Sequence, residues 1–87
     1  MRHALAEDLD RLEPLLTRLR TFPPLSEKSR GVFYLKGRAF LHFHADPAGL
    51  FADVRATDGD FERLKVDDAA GAKALLERVE SSIRPSP

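Results

Sequence analysis

Residues 31–55, GVFYLKGRAFLHFHADPAGLFADVR, decide the fold. Their apolar residues alternate, and two clusters of turn residues interrupt them. The pattern predicts strands over Val32–Leu35, Ala39–Ala45 and Leu50–Arg55, with Lys36-Gly37-Arg38 and Asp46-Pro47-Ala48-Gly49 as the turns. A four-residue loop from Asp46 to Gly49 sets Ala45 opposite Leu50, Phe43 opposite Ala52 and Leu41 opposite Val54. A three-residue loop from Lys36 to Arg38 sets Leu35 opposite Ala39 and Phe33 opposite Leu41. Both loop lengths bring apolar residues together, so this parity is the buried one. The other parity carries Val32, Tyr34, Phe40, His42, His44, Phe51, Asp53 and Arg55. It sets His42 across from Asp53, His44 across from Phe51 and Phe40 across from Arg55.

Upstream the period changes. Leu5, Leu9, Leu12, Leu16 and Leu19 recur at helical spacing, widened by Leu15, with acids leading and bases trailing as the helix dipole prefers. Pro14 removes a backbone donor in mid-pattern and predicts a kinked or broken helix. Residues 25–30 read as a polar loop. Downstream, Asp58-Gly59 marks a turn and Phe61–Val66 reads as a fourth strand, with a short helical turn as the alternative. Asp67 or Asp68 caps a last helix whose stripe is Ala72, Leu75, Leu76, Val79 and Ile83. The expected architecture is α+β: a two-layer sandwich of N-terminal helix, antiparallel meander of three to four strands, and C-terminal helix. Residues 1–84 form its single domain and 85–87 a mobile tail.

Composition narrows the function classes. An apolar fraction of 43% and a charged fraction of 32% belong to a folded domain. Fourteen basic and fourteen acidic side chains cancel, which argues against a dedicated nucleic-acid binder. The absence of cysteine excludes disulfides and thiolate metal sites. No apolar run spans a bilayer and no leader precedes the first helix, so the expectation is a cytoplasmic protein with no membrane partner. Asn and Gln are absent and Arg outnumbers Lys ten to four. That is the composition of proteins from hot environments, and a coding bias toward Ala and Arg produces part of it too. A melting midpoint above the mesophile range checks the first reading.

The sharpest chemical feature is His42-Phe43-His44. Alternate strand residues point the same way, so both imidazoles share a face about 6–7 Å apart. With Asp53 opposite they are candidate metal ligands, a set completed only by Asp46, His3 or a second subunit. A His–Asp cross-strand pair is the plainer reading. No serine elbow or glycine-rich phosphate loop accompanies them, so no catalytic residue and no cofactor is assigned. Arg18, Arg20, Lys28, Arg30, Lys36 and Arg38 gather in the first half of the chain and form a candidate basic patch for nucleic acid or an anionic ligand. The second sheet face, with Tyr34, Phe40, His42, His44, Phe51, Asp53 and Arg55, is aromatic and polar together and has no helix to cover it. It is the candidate interface, and a homodimer is its expected occupant.

Residues 31–55 resemble the central segment of a family of small conserved bacterial proteins of unassigned function, a likeness reaching into the first helix and Phe61–Val66. More distantly, Lys36–Phe40 with Asp46–Leu50 is similar to the sheet hairpins of YjbR-like small proteins. That resemblance implies an α+β fold and a role near nucleic acid. Neither implies catalytic residues.

Overall fold

The computed structural model describes residues 2–56 and 58–84. Residues 85–87, read above as a mobile tail, lie outside the described residues. Among those described, the chain forms two helices and a six-stranded antiparallel sheet. In chain order these are β1 (Arg2–His3), α1 (Ala6–Leu19), β2 (Leu25–Ser29), β3 (Val32–Leu35), β4 (Arg38–Asp46), β5 (Gly49–Arg55), β6 (Phe61–Lys65) and α2 (Ala69–Ile83). Strands β2 to β6 lie side by side in sequence order, and β1 pairs with β4. The α+β reading holds, with a larger sheet than expected.

Helix α1 runs unbroken through Pro14. An interior proline costs about 3 kcal/mol. Leu12, Leu15, Leu16 and Leu19 are all buried, and burying four such side chains outweighs that cost. The stripe thins toward its start, where Leu5 is exposed. There Asp8 accepts the Leu5 N–H at 2.9 Å and an Arg2 N–H at 2.6 Å. Those bonds hold the Asp8 carboxyl below its usual range, Arg2 being the larger cause. Helix α2 starts where Asp68 accepts the Gly71 N–H at 2.7 Å, and it buries Leu75 and Val79.

The expected register of β4 against β5 is the observed one: Leu41 faces Val54, His42 Asp53, Phe43 Ala52, His44 Phe51 and Ala45 Leu50. The β3–β4 hairpin differs. Lys36 and Gly37 have φ of +54° and +79°, the signature of a two-residue turn of the primed type. It pairs Leu35 with Arg38, not with Ala39. A β-bulge then restores the register, so that Tyr34 faces Ala39 while Phe33 still faces Leu41. Phe40 is the extra residue. A bulge breaks the alternation of faces, and the Phe40 ring joins the core. The expectation that Phe40 belongs to the outward interface is therefore corrected.

Two strands carried no periodic signal. Residues 25–30, read as a polar loop, contain β2, which pairs Leu25 with Leu35 and Ser26 with Tyr34. Its polar sequence is that of a sheet edge, where charged side chains discourage pairing with other chains. Strand β1 pairs His3 with His44 and Arg2 with Ala45, and the Ala4 N–H reaches the Phe43 carbonyl at 3.2 Å. Since β5 occupies the other edge of β4, β1 continues the edge that β3 leaves after Leu41. Gly31, at φ +80°, makes the bend between β2 and β3. A Cβ there would stand 2.7 Å from Leu9 Cδ2 of α1, so the helix approaches the sheet closely at this point.

One core joins the four buried α1 leucines, Leu75 and Val79 of α2, and the inward residues of β3, β4 and β5. Both helices thus cover one sheet face. No helix of the described residues is long and apolar enough to cross a membrane.

Candidate metal centre

The uncovered face gathers its chemistry at the middle of β4. His42 and His44 project from it two residues apart, and β1 brings His3 alongside. The ring centroids of His3 and His44 lie 4.9 Å apart, nearly stacked, and those of His42 and His44 lie 4.9 Å apart edge-on. One ligand atom from each imidazole falls within 4.8 Å of the other two.

Asp53 of β5 stands beside the group, against His44. Its side chain is 10% exposed and that of His44 13%, so their hydrogen bonds have little competition from water. His44 Nε2 stands 3.0 Å from Asp53 Oδ2 and 2.9 Å from His42 Nδ1. Arg63 of β6 clamps Asp53 with two bonds, Nε to Oδ1 at 2.7 Å and Nη2 to Oδ2 at 2.8 Å. That guanidinium is the main reason the Asp53 carboxyl titrates below its ordinary value, with His44 and His42 adding smaller attractions. An ionised carboxylate only accepts, so His44 Nε2 carries the proton it donates.

This pattern has a second meaning. Donor atoms around an ion with bonds of about 2.1 Å stand about 3.0–3.4 Å from one another. His44 Nε2 stands close to that spacing from each of two neighbours, His42 Nδ1 at 2.9 Å and Asp53 Oδ2 at 3.0 Å. His3 is the exposed member and forms the open side.

Burial holds the His42 imidazolium in check. Its pKa falls below the ordinary imidazole value, first through desolvation and then through repulsion from His44. His42 thus keeps its lone pair, the form a metal needs, further into the acid range than a free imidazole. The sign for folding follows. A group whose folded pKa is depressed contributes stability above its unfolded value, about 6.5 for histidine, and loses it as pH falls. Urea unfolding midpoints are expected to fall between pH 7 and pH 5, and a His42→Phe variant is expected to lose part of that pH dependence.

Around this centre stand the other predicted interface residues. Phe51 lies across from His44 and, like Tyr34, is half-buried. Phe61, not singled out in the sequence, packs edge-on against His42 at 5.0 Å. It remains 41% exposed, and the Arg55 guanidinium lies over it at 4.6 Å. Phe61 and Arg63 follow from the β5–β6 pairing, Arg55 with Phe61 and Asp53 with Arg63. His3 had no signal beyond being a histidine near the start. Asp46 does not join the donor group; its carboxylate accepts the Ala48 N–H at 2.7 Å in the turn.

The six basic residues meet different partners. Arg20 bonds Glu27 and Glu13, and Arg30 bonds Glu13 and Asp10. These pairs hold the Glu27 and Glu13 carboxyls below their usual range, through Arg20 for Glu27 and first through Arg30 for Glu13. Lys28 lies over the Tyr34 ring at 5.9 Å. Arg18 lines a groove between the helices, and Lys36 and Arg38 sit at the β3–β4 turn.

No family model, no curated protein and no solved structure matches the chain, so neither sequence resemblance gains support.

Proposed function

We propose that this chain is a small metal-binding module that holds one divalent transition-metal ion of the zinc class on its uncovered sheet face. His3, His42 and His44 are the nitrogen ligands, and Asp53 supplies the adjoining carboxylate. The observation that carries this reading is the convergence of three imidazoles from two separate strands, with ligand atoms within 4.8 Å. Imidazole nitrogen with carboxylate oxygen is a donor set suited to zinc and its neighbours. The Asp53–Arg63 clamp is the outer support that such sites use to orient a ligand.

The test is calorimetric titration of untagged protein with zinc, alongside the visible absorption of the cobalt(II) form. One ion per chain is expected. His3→Ala, on an exposed two-residue strand, is expected to weaken binding at least about 10-fold with the fold intact by circular dichroism. A His42→Ala/His44→Ala double variant that binds zinc as well as the parent overturns the reading.

Self-association through the same face is the second reading, favoured by Phe61 standing 41% exposed on the edge strand β6, on the sheet face that also carries Phe51 and Tyr34. Light scattering decides it. A dimer weakened by Phe61→Ala, Tyr34→Ala or Phe51→Ala supports it, and a monomer at high micromolar concentration removes it.

A further inference from the structure

A second feature lies apart from the histidines, where the β3–β4 turn meets the end of α2. A hollow of about 270 Å³ opens there, lined by Lys36, Arg38 and Arg55, with Ser82 of α2 on one wall and Leu35 and Phe40 among its apolar lining. Among the described residues, no acidic side chain lines it.

The three cations differ from most of the chain's arginines. Arg2, Arg20, Arg30, Arg63, Arg78 and Arg84 each have a carboxylate within 4.0 Å, whereas among the described residues Lys36, Arg38 and Arg55 have none. Arg55 is fixed by neutral groups instead. Its Nε donates to the Ala39 carbonyl at 2.7 Å and its Nη1 to the Gly59 carbonyl at 2.8 Å. Two of its five N–H groups are used, the charge is uncompensated, and the guanidinium is held in place by main chain and by Phe61. The turn that presents Lys36 and Arg38 is equally defined, since both of its central residues take left-handed backbone angles. Three like charges around one hollow repel each other unless an anion joins them.

We infer that this hollow binds a phosphate group. Near neutral pH a phosphate monoester carries between one and two negative charges and offers three acceptor oxygens. That matches three cations better than a single carboxylate does, and an arginine fork meets two phosphate oxygens at once. The inference does not depend on the metal reading; Arg55 is the residue that faces both places.

The experiment is an amide-resolved NMR titration of the isotopically labelled protein with inorganic phosphate, in EDTA so that no metal contributes. Acetate at matched ionic strength is the control. Phosphate is expected to shift amides of residues 36–40 and 55, with an apparent Kd at least about 10-fold weaker for the exposed-turn variant Lys36→Ala/Arg38→Ala. Adding a short single-stranded thymidine oligonucleotide separates the sources. Tighter, salt-dependent shifts at the same amides assign the site to a nucleic-acid backbone, whereas phosphate binding without oligonucleotide binding assigns it to a small phosphorylated molecule. Shifts no larger than those of acetate, or unchanged in the double variant, overturn the inference.

Discussion

Replacing Phe33 by alanine is expected to destabilise the fold by about 3–5 kcal/mol, the usual cost of removing a fully buried phenylalanine. The ring is 1% exposed. It sits on β3 between Glu27 of β2 and Leu41 of β4 and joins the core that the buried α1 leucines share. Small domains have total stabilities of about 5–15 kcal/mol, so one truncation removes about a fifth or more of what holds this one together. A urea titration followed by far-ultraviolet circular dichroism reads the loss as a lower midpoint with an unchanged slope. Phe33→Leu keeps most of the volume and is expected to lose much less. An alanine variant within 1 kcal/mol of the parent would place Phe33 outside the core.

Asp53→Asn is expected to weaken zinc binding by about 10–100-fold, or about 1.4–2.8 kcal/mol. The amide preserves the shape of the carboxylate and removes its charge. Its N–H₂ faces either Arg63 Nε, in place of Oδ1, or both Arg63 Nη2 and His44 Nε2, in place of Oδ2. The clamp and the orientation of His44 then compete for a single remaining acceptor. Calorimetry on both proteins at one pH reads the affinity ratio. Equal affinity would remove Asp53 from the site and leave the histidines to act alone. The same substitution is expected to lower stability, because Arg63 loses its only carboxylate partner among the described residues.

Most of this architecture was legible in the chain. Alternation from Val32 to Arg55 defined the central strands, and the Asp46–Gly49 turn set a register that survives residue by residue. Asp68, Leu75 and Val79 placed the last helix. What escaped detection has physical reasons. β2 is an edge strand, so apart from Leu25, which packs against the core, its side chains are polar. β1 is too short for any periodicity. The turn at Lys36-Gly37 is one residue shorter than the spacing implied, and a bulge absorbs the difference. Parity arguments assume an uninterrupted pleat, and that assumption put Phe40 on the wrong side. The candidate site was read as His42, His44 and Asp53, to be completed by Asp46, His3 or a second subunit. Its completion by His3, Arg63 and Phe61 depends on pairings with β1 and β6 that only the folded sheet brings about.

The order of the strands also bears on how the chain assembles. Each pairing from β2 to β6 joins neighbours in sequence, with short connections and small entropic penalties for closing them. The exception is β1, whose partner on β4 lies some forty residues along the chain. Its docking is expected to come late in folding and to reverse early when the chain breathes. Hydrogen exchange at Ala4 is therefore expected to be fast compared with the β4–β5 amides in metal-free protein, and to slow when zinc is added. On the proposed metal reading, ion capture and the closing of this terminal strand are expected to form one event on the folding route.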